Sequence, residues 1–92
     1  MDASVVIPTR NKPEELRRCL QAVLAQRFAR EFEVLVCDDG STDGTAGMLQ
    51  AWSLTEPRLR YLHQPQRGPA AARNLGIRYA RAPLVVMTDD AT

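Results

Sequence analysis

Short apolar runs alternate with amphipathic stretches along the whole chain. Ala3 to Ile7 is β-branched and uninterrupted, the pattern of a strand whose two faces are both covered by helices in a parallel sheet. Pro8 is expected to end it. Beyond it, Leu16, Cys19, Leu20, Val23 and Leu24 recur at helical spacing, while Arg17, Arg18 and Gln21 fall on the opposite side; this predicts an amphipathic helix starting near Lys12. Asn11 is the candidate N-cap and Glu14 stands at capping-box distance. Pro13 suits the first turn, where its missing N–H would be unpaired anyway.

The second strand is expected over Phe32 to Cys37, followed by the turn-rich segment Asp38-Asp39-Gly40-Ser41-Thr42-Asp43-Gly44. Thr42 or Asp43 can cap a second helix carrying Met48, Leu49 and Trp52, and Pro57 closes that unit. Leu59 to His63 reads as a third strand. Pro69 opens a third helix whose Ala72, Leu75, Gly76 and Tyr79 share one face, the small residues permitting close approach to a sheet. Leu84 to Met87 is the fourth strand and leads into Thr88-Asp89-Asp90. The order β-α-β-α-β-α-β predicts an α/β fold, Rossmann-like, with a mainly parallel sheet. The fourth strand would form an unpaired edge, which favours marginal stability or self-association.

Composition narrows the class. The 92 residues suit one domain, and 45% hydrophobic with 25% charged residues is the makeup of a folded chain. Twelve basic and eleven acidic residues leave a net charge of +1 without a basic block, which argues against nucleic acid as a partner. No segment approaches the roughly 20 apolar residues of a membrane span, and the first apolar run is too short for a signal-peptide core. A cytoplasmic chain is expected, with the cytoplasmic membrane face open as a workplace for a longer parent. Cys19 and Cys37 form no CxxC pair and sit among apolar neighbours, as buried thiols do.

In doubly wound sheets ligands bind beyond the carboxyl ends of the strands, where the strand order reverses. Three polar clusters follow strands here: Pro8-Thr9-Arg10-Asn11, Asp38-Asp39-Gly40-Ser41 and Thr88-Asp89-Asp90. Right-handed crossovers bring all three to one edge. An ionised carboxylate offers only acceptors and can pair with a ribose hydroxyl or a base N–H, which makes Asp39 a candidate; two Asp followed by Gly also simply make a turn and a cap. Asp89 and Asp90 can hold a hard divalent cation through carboxylates and substrate phosphates, or form a solvated acidic strand end. The segment Arg67 to Asn74 opens the third helix, where unpaired N–H groups favour anions and Arg73 could add a bidentate phosphate contact. His63 has no partner at metal-binding spacing and is assigned no role.

Other nucleotide-binding classes fit less well. The first strand-to-helix turn, Pro8-Thr9-Arg10-Asn11-Lys12, lacks the G-x-G-x-x-G of dinucleotide enzymes, and no Walker-type lysine loop is present. A phosphoacceptor signalling domain shares only the acidic strand ends.

Taken together, Val5-Val6-Ile7-Pro8-Thr9-Arg10-Asn11, Asp38-Asp39-Gly40-Ser41-Thr42-Asp43-Gly44-Thr45, Arg67-Gly68-Pro69-Ala70-Ala71-Ala72-Arg73-Asn74-Leu75-Gly76 and Thr88-Asp89-Asp90 resemble, in order and spacing, the opening of family 2 glycosyltransferases of the GT-A fold. The resemblance covers residues 1–92 as the N-terminal, nucleotide-sugar-binding portion of such a domain, ending just after a DXD-type motif. It implies that Pro8 and Thr9 line the nucleotide pocket, that Asp39 contacts base or ribose, and that Arg73 approaches the nucleotide. It further implies that Asp90, with Asp89 beside it, holds Mg²⁺ or Mn²⁺, and that Asp89 also borders the substrate. The implied reaction is inverting transfer of a sugar from a nucleotide-diphospho-sugar, a UDP-sugar first, to a glycan, lipid or other hydroxyl acceptor, as in cell-wall or polysaccharide synthesis. Similar enzymes supply the general base after the metal motif. The base is therefore expected downstream of Thr92, with no catalytic residue within this chain, which should transfer nothing alone. The competing expectation is a non-catalytic nucleotide-binding module. Two positions depart from the family pattern: the residue usually aromatic between Thr9 and Asn11 is Arg10, and Ala91 stands where many members carry a further acid.

Overall fold

The computed structural model describes residues 1–26 and 31–88. Within them the chain runs β1 (Ala3–Thr9), α1 (Pro13–Ala25), β2 (Phe32–Asp39), α2 (Thr45–Ser53), β3 (Leu59–Gln64), α3 (Pro69–Tyr79) and β4 (Leu84–Met87). The strands form one sheet in the order β3-β2-β1-β4, and every pairing is parallel. β1 and β2 occupy the middle, which is why their sequences are apolar without alternation.

The two faces of the sheet bury separate clusters. Val5, Ile7, Val34 and Val36 pack under Leu16 and Leu20 of α1 and Leu49 of α2. On the other face Val6, Leu35 and Cys37 meet Ala72 of α3. Each leucine removed fully from water contributes roughly 1.5–3 kcal/mol, so the helical stripe of α1 is what fastens it to the sheet. Burial raises the Cys37 thiol to about 11, as expected of an inert structural cysteine, whereas Cys19 is only half-buried.

Three expectations are corrected. Pro8 does not end β1, which continues to Thr9 with Pro8 in register with Cys37. The Val6 carbonyl accepts the Thr88 N–H at 3.1 Å, so the polar groups of Val6, and of Pro8 two residues on, point toward β4. The β4 pairing stops at Met87 opposite Val6, and the missing N–H of Pro8 breaks no ladder bond there. The second correction is that β2 and β3 each run past their expected ends, to Asp39 and Gln64. Thirdly, Asn11 does not cap α1: Lys12 holds the N-cap position, without a side-chain hydrogen bond. At α2 the N-cap is Gly44, and Asp43 serves the helix start from one residue further out, accepting the Thr45 N–H at 3.0 Å and the Thr45 hydroxyl at 2.6 Å.

The placement of α3 depends on two contacts. Gly76 lies so close to the sheet that a Cβ there would stand 2.3 Å from Val6 Cγ1 and 2.9 Å from Cys37 Sγ. At the other end, the buried Glu33 carboxylate accepts the Ser4 hydroxyl (2.6 Å), the Arg60 guanidinium (2.8 Å) and the Arg81 N–H (2.8 Å). Arg60 also donates to the Tyr79 carbonyl, and the Ala82 N–H donates to Ser4 Oγ. Together these bonds fix the connection from α3 to β4.

Gly76→Ala should therefore cost about 1–3 kcal/mol through overpacking, read as a lower urea midpoint with an unchanged slope. Burial alone would push the Glu33 pKa up, but the bonds from Ser4, Arg60 and Arg81 outweigh it and hold the carboxyl below the usual glutamate range. A group depressed in the folded state stabilises fully above its unfolded pKa, and that contribution is lost as pH falls through the folded value. Glu33→Gln should accordingly destabilise the chain at neutral pH and give a flatter loss of stability below pH ~4.5, measured by urea unfolding across pH.

Candidate functional site

The sheet order reverses at β1: α1 leaves it along one face toward β2, and α3 returns across the other face to deliver β4 on its far side. The carboxyl ends of β1 and β2, and the loops that follow, border this switch point. Asn11 sits there with φ 55°, a left-handed conformation that Asn tolerates better than most residues. Its N–H donates to Ser41 Oγ at 2.9 Å, and its Oδ1 accepts the Thr42 N–H at 2.8 Å. These reciprocal bonds pin the β1–α1 loop to the β2–α2 loop. The β2–α2 loop in turn meets the β3–α3 loop at Gly40 (φ 75°), where a Cβ would come within 2.7 Å of the Gln66 nitrogen.

Asp38 and Asp39 diverge because successive strand side chains point to opposite faces. Asp38 turns to the α1 and α2 face, fully buried. Its carboxylate accepts the Ser41 N–H at 2.9 Å and the Tyr61 hydroxyl at 3.1 Å, with His63 Nδ1 at 3.6 Å. Burial, together with the Asp38 charge, pushes the Tyr61 hydroxyl up to about 12. Asp38 is thus a fixture of the loop, and His63, largely exposed, is its neighbour.

Asp39 turns the other way, toward α3. Its Oδ1 accepts the Gln64 side-chain amide at 2.9 Å and the Arg67 N–H at 2.7 Å; its Oδ2 accepts the Gly68 N–H at 2.9 Å. Burial acts to raise its pKa, yet these donors and the charge of Arg10 hold it below the ordinary aspartate range. Gly68 (φ 100°) is the N-cap of α3. Asp39 thus accepts the N–H of the residue that caps α3 and of the residue before it.

Around Asp39 lies a cleft of about 300 Å³. Pro8, Thr9, Arg10 and Lys12 come from β1 and its loop, Gln66, Gly68 and Pro69 from the β3–α3 connection, and Ala72 and Arg73 from α3. Four residues picked out by sequence, Pro8, Thr9, Asp39 and Arg73, thus share one cavity. Lys12 and Gln66 line it too without having been singled out, and so does Arg10, marked in the sequence as a departure from the family pattern; Gln64, which no motif marks, stands outside the lining and donates to Asp39. Its pairing opposite Asp39 arises only from the register of β3 on β2. Among the described residues lining the cleft, Arg10, Lys12 and Arg73 face a single carboxylate, so the cavity favours an anionic ligand. The expected metal ligands Asp89 and Asp90 lie outside the described residues, and so does Thr92, beyond which the general base is expected. Among those described, no group of three or more His, Cys, Asp or Glu is gathered as a metal site, and no helix is long and apolar enough to cross a membrane.

A parallel, doubly wound sheet with a cationic cleft at its switch point defines an α/β domain of the kind that binds ligands beyond the carboxyl ends of its strands. Residues 4–90 match the family described as Glycosyl transferase family 2, and the chain belongs to it. It is 36% identical over 87 residues to the glycosyltransferase GlyG of Streptococcus pneumoniae, covering 94% of this chain and 29% of that protein. Among solved structures it superposes on the mannosyltransferase PcManGT of Pyrobaculum calidifontis in complex with GDP-Man and Mn²⁺, with TM-score 0.86, 34% identity and coverage of 96% of this chain and 27% of that one. It also matches S. aureus TarS 1-349 in complex with UDP-GlcNAc, with TM-score 0.85, 30% identity and coverage of 98% and 26%. The chain therefore spans between a quarter and a third of the length of these relatives.

Because Asn11 supplies both a left-handed turn and the bond to Thr42, Asn11→Ala should cost about 1–2 kcal/mol. Asn11→Gly, which relieves the backbone but not the lost acceptor, should cost less. Chemical denaturation of the two variants side by side checks the order.

Proposed function

We propose that this chain is the donor-binding part of a metal-assisted, inverting glycosyltransferase acting on a nucleotide-diphospho-sugar. The observation that supports this most directly is the cleft in which Arg10, Lys12 and Arg73 surround a carboxylate already held by protein donors. Such a cavity suits a ligand with an anionic diphosphate and a nucleoside carrying hydrogen-bond donors. That related proteins hold GDP-Man or UDP-GlcNAc supports the same class of ligand.

In this reading Pro8 and Thr9 form the wall along the nucleoside, Asp39 accepts one of its donors, and Arg73 pairs with the diphosphate. Asp90, with Asp89 beside it, would hold Mg²⁺ or Mn²⁺, which when bound supplies charge to offset that developing on the leaving diphosphate. An acceptor hydroxyl, losing its proton to a carboxylate base, attacks the anomeric carbon in line as the bond to the diphosphate oxygen breaks, inverting that centre. A base needs a free lone pair within reach of the proton it takes. Asp39, the only carboxylate among the described residues lining the cleft, is held below the ordinary aspartate range, which makes it a weak base, and is assigned to the nucleoside. The base, and the pocket for a glycan, lipid or other hydroxyl acceptor, are thus assigned to sequence downstream of Thr92 in a longer enzyme.

Calorimetric titration with UDP-GlcNAc and GDP-Man, with and without Mn²⁺, tests the reading. We expect binding that Mn²⁺ strengthens, that Arg73→Ala weakens roughly tenfold or more, and whose Mn²⁺ dependence Asp90→Ala removes. No sugar transfer by the 92-residue chain should accompany it. Absent binding, or binding indifferent to both substitutions, would overturn the assignment.

A further inference from the structure

The start of α1 has most of the parts that a helix start uses. Lys12 is at the N-cap, and its carbonyl accepts the Leu16 N–H at 2.9 Å, the first bond of the helix. Pro13 follows at the first helical position, which its fixed φ suits. Glu14 and Glu15 bring negative charge to the positive end of the helix dipole. Glu15 stands three residues after the N-cap, where a glutamate exchanges bonds with a capping Ser or Thr in a capping box. The residue out of keeping is Lys12 itself.

A lysine serves the helix poorly there. It has no acceptor to offer the free N–H groups of the first turn, and its side chain makes no capping bond. Its charge also lies at the end of the dipole that favours anions, and among the described residues no ion pair offsets it. Residues that break a local rule in this way are expected at functional sites. The backbone before it is firmly placed: Asn11 is held at φ 55° by bonds to Ser41 Oγ and from the Thr42 N–H. Lys12 lines the cleft from the β1 side, and Arg73 lines it from α3. Arg10, the third cation of the lining, acts with its charge on Asp39.

We propose that Lys12 is a donor-binding residue whose ammonium takes a phosphate oxygen of the nucleotide, and that α1 forgoes a better N-cap to keep it in the cleft. The inference rests on the donor-binding reading above and adds to it one residue and a loss of fold stability. An ammonium meets phosphate as a compact point charge on a flexible stem, whereas the Arg73 guanidinium offers a planar fork. The two side chains thus complement each other without duplicating one contact.

Lys12→Ser tests this because it should move stability and affinity in opposite directions. It completes the capping box with Glu15 and removes the charge. The urea midpoint of the 92-residue chain should therefore rise, while calorimetric affinity for UDP in the presence of Mn²⁺ should fall at least about fivefold. Lys12→Arg keeps the charge without supplying a cap, and should retain most of the affinity at an unchanged midpoint. A lysine that serves only the fold would give a lower midpoint and weaker binding together in Lys12→Ser. A lysine that only faces solvent would leave UDP affinity as it was. Either result, a midpoint that fails to rise, or equal losses of affinity in Lys12→Ser and Lys12→Arg would overturn the inference, and UDP binding by the unaltered chain would keep the donor-binding reading intact. Failure of the unaltered chain to bind UDP would remove the two together.

Discussion

The bond set at Asp39 is the joint on which the candidate site depends. One carboxylate at the end of a central strand gathers the Arg67 and Gly68 N–H groups and the Gln64 amide, and so fixes where α3 begins. Because the start of α3 is fixed, Ala72 and Arg73 border the same cavity as Pro8 and Thr9. A carboxylate in that position also stands favourably at the positive end of the helix dipole. Arg10, Lys12 and Arg73 give the cleft its cationic side chains.

The rest of the fold holds that joint in place from two directions. At the carboxyl ends of the strands, Asn11 and Asp38 tie the first two loops together through Ser41 and Thr42. At the amino ends, Glu33, Ser4 and Arg60 secure the exit of α3 and the entry into β4. Between them α3 lies close against the sheet because Gly76 has no side chain to hold it away. β2 consequently buries three carboxylates in one strand, Glu33, Asp38 and Asp39. Each is supplied with several hydrogen-bond donors, the condition on which a charge can remain inside a protein.

Much of the fold is legible in the pattern of apolar residues. The seven elements, their order and the apolar stripe of α1 follow from periodicities of 2 and 3.6 and from unbroken β-branched runs, and the structure has them at nearly the expected bounds. The misreadings share one cause. Local rules, capping and strand termination, misplace Asn11 and Pro8 because both residues are governed by a neighbouring loop or strand distant in sequence. Asn11 answers to Thr42, and Pro8 is tolerated because the β4 pairing ends beside it. Gln64 carries no signal at all, since a polar residue closing an edge strand is ordinary until the register sets it opposite Asp39.

The sequence by itself determined the alternation of strands and helices, the apolar positions that bury them, and the polar clusters that follow the strands, because these depend on side-chain chemistry and spacing along a single element. Only the tertiary structure decided that Asp38 serves the loop while Asp39 lines the cleft, and that Asp39 holds the Arg67 and Gly68 N–H groups where α3 starts. Those outcomes depend on strand register and on the face each residue takes in the sheet. A shift of one residue would exchange them all, and register is settled by pairing between strands rather than within one.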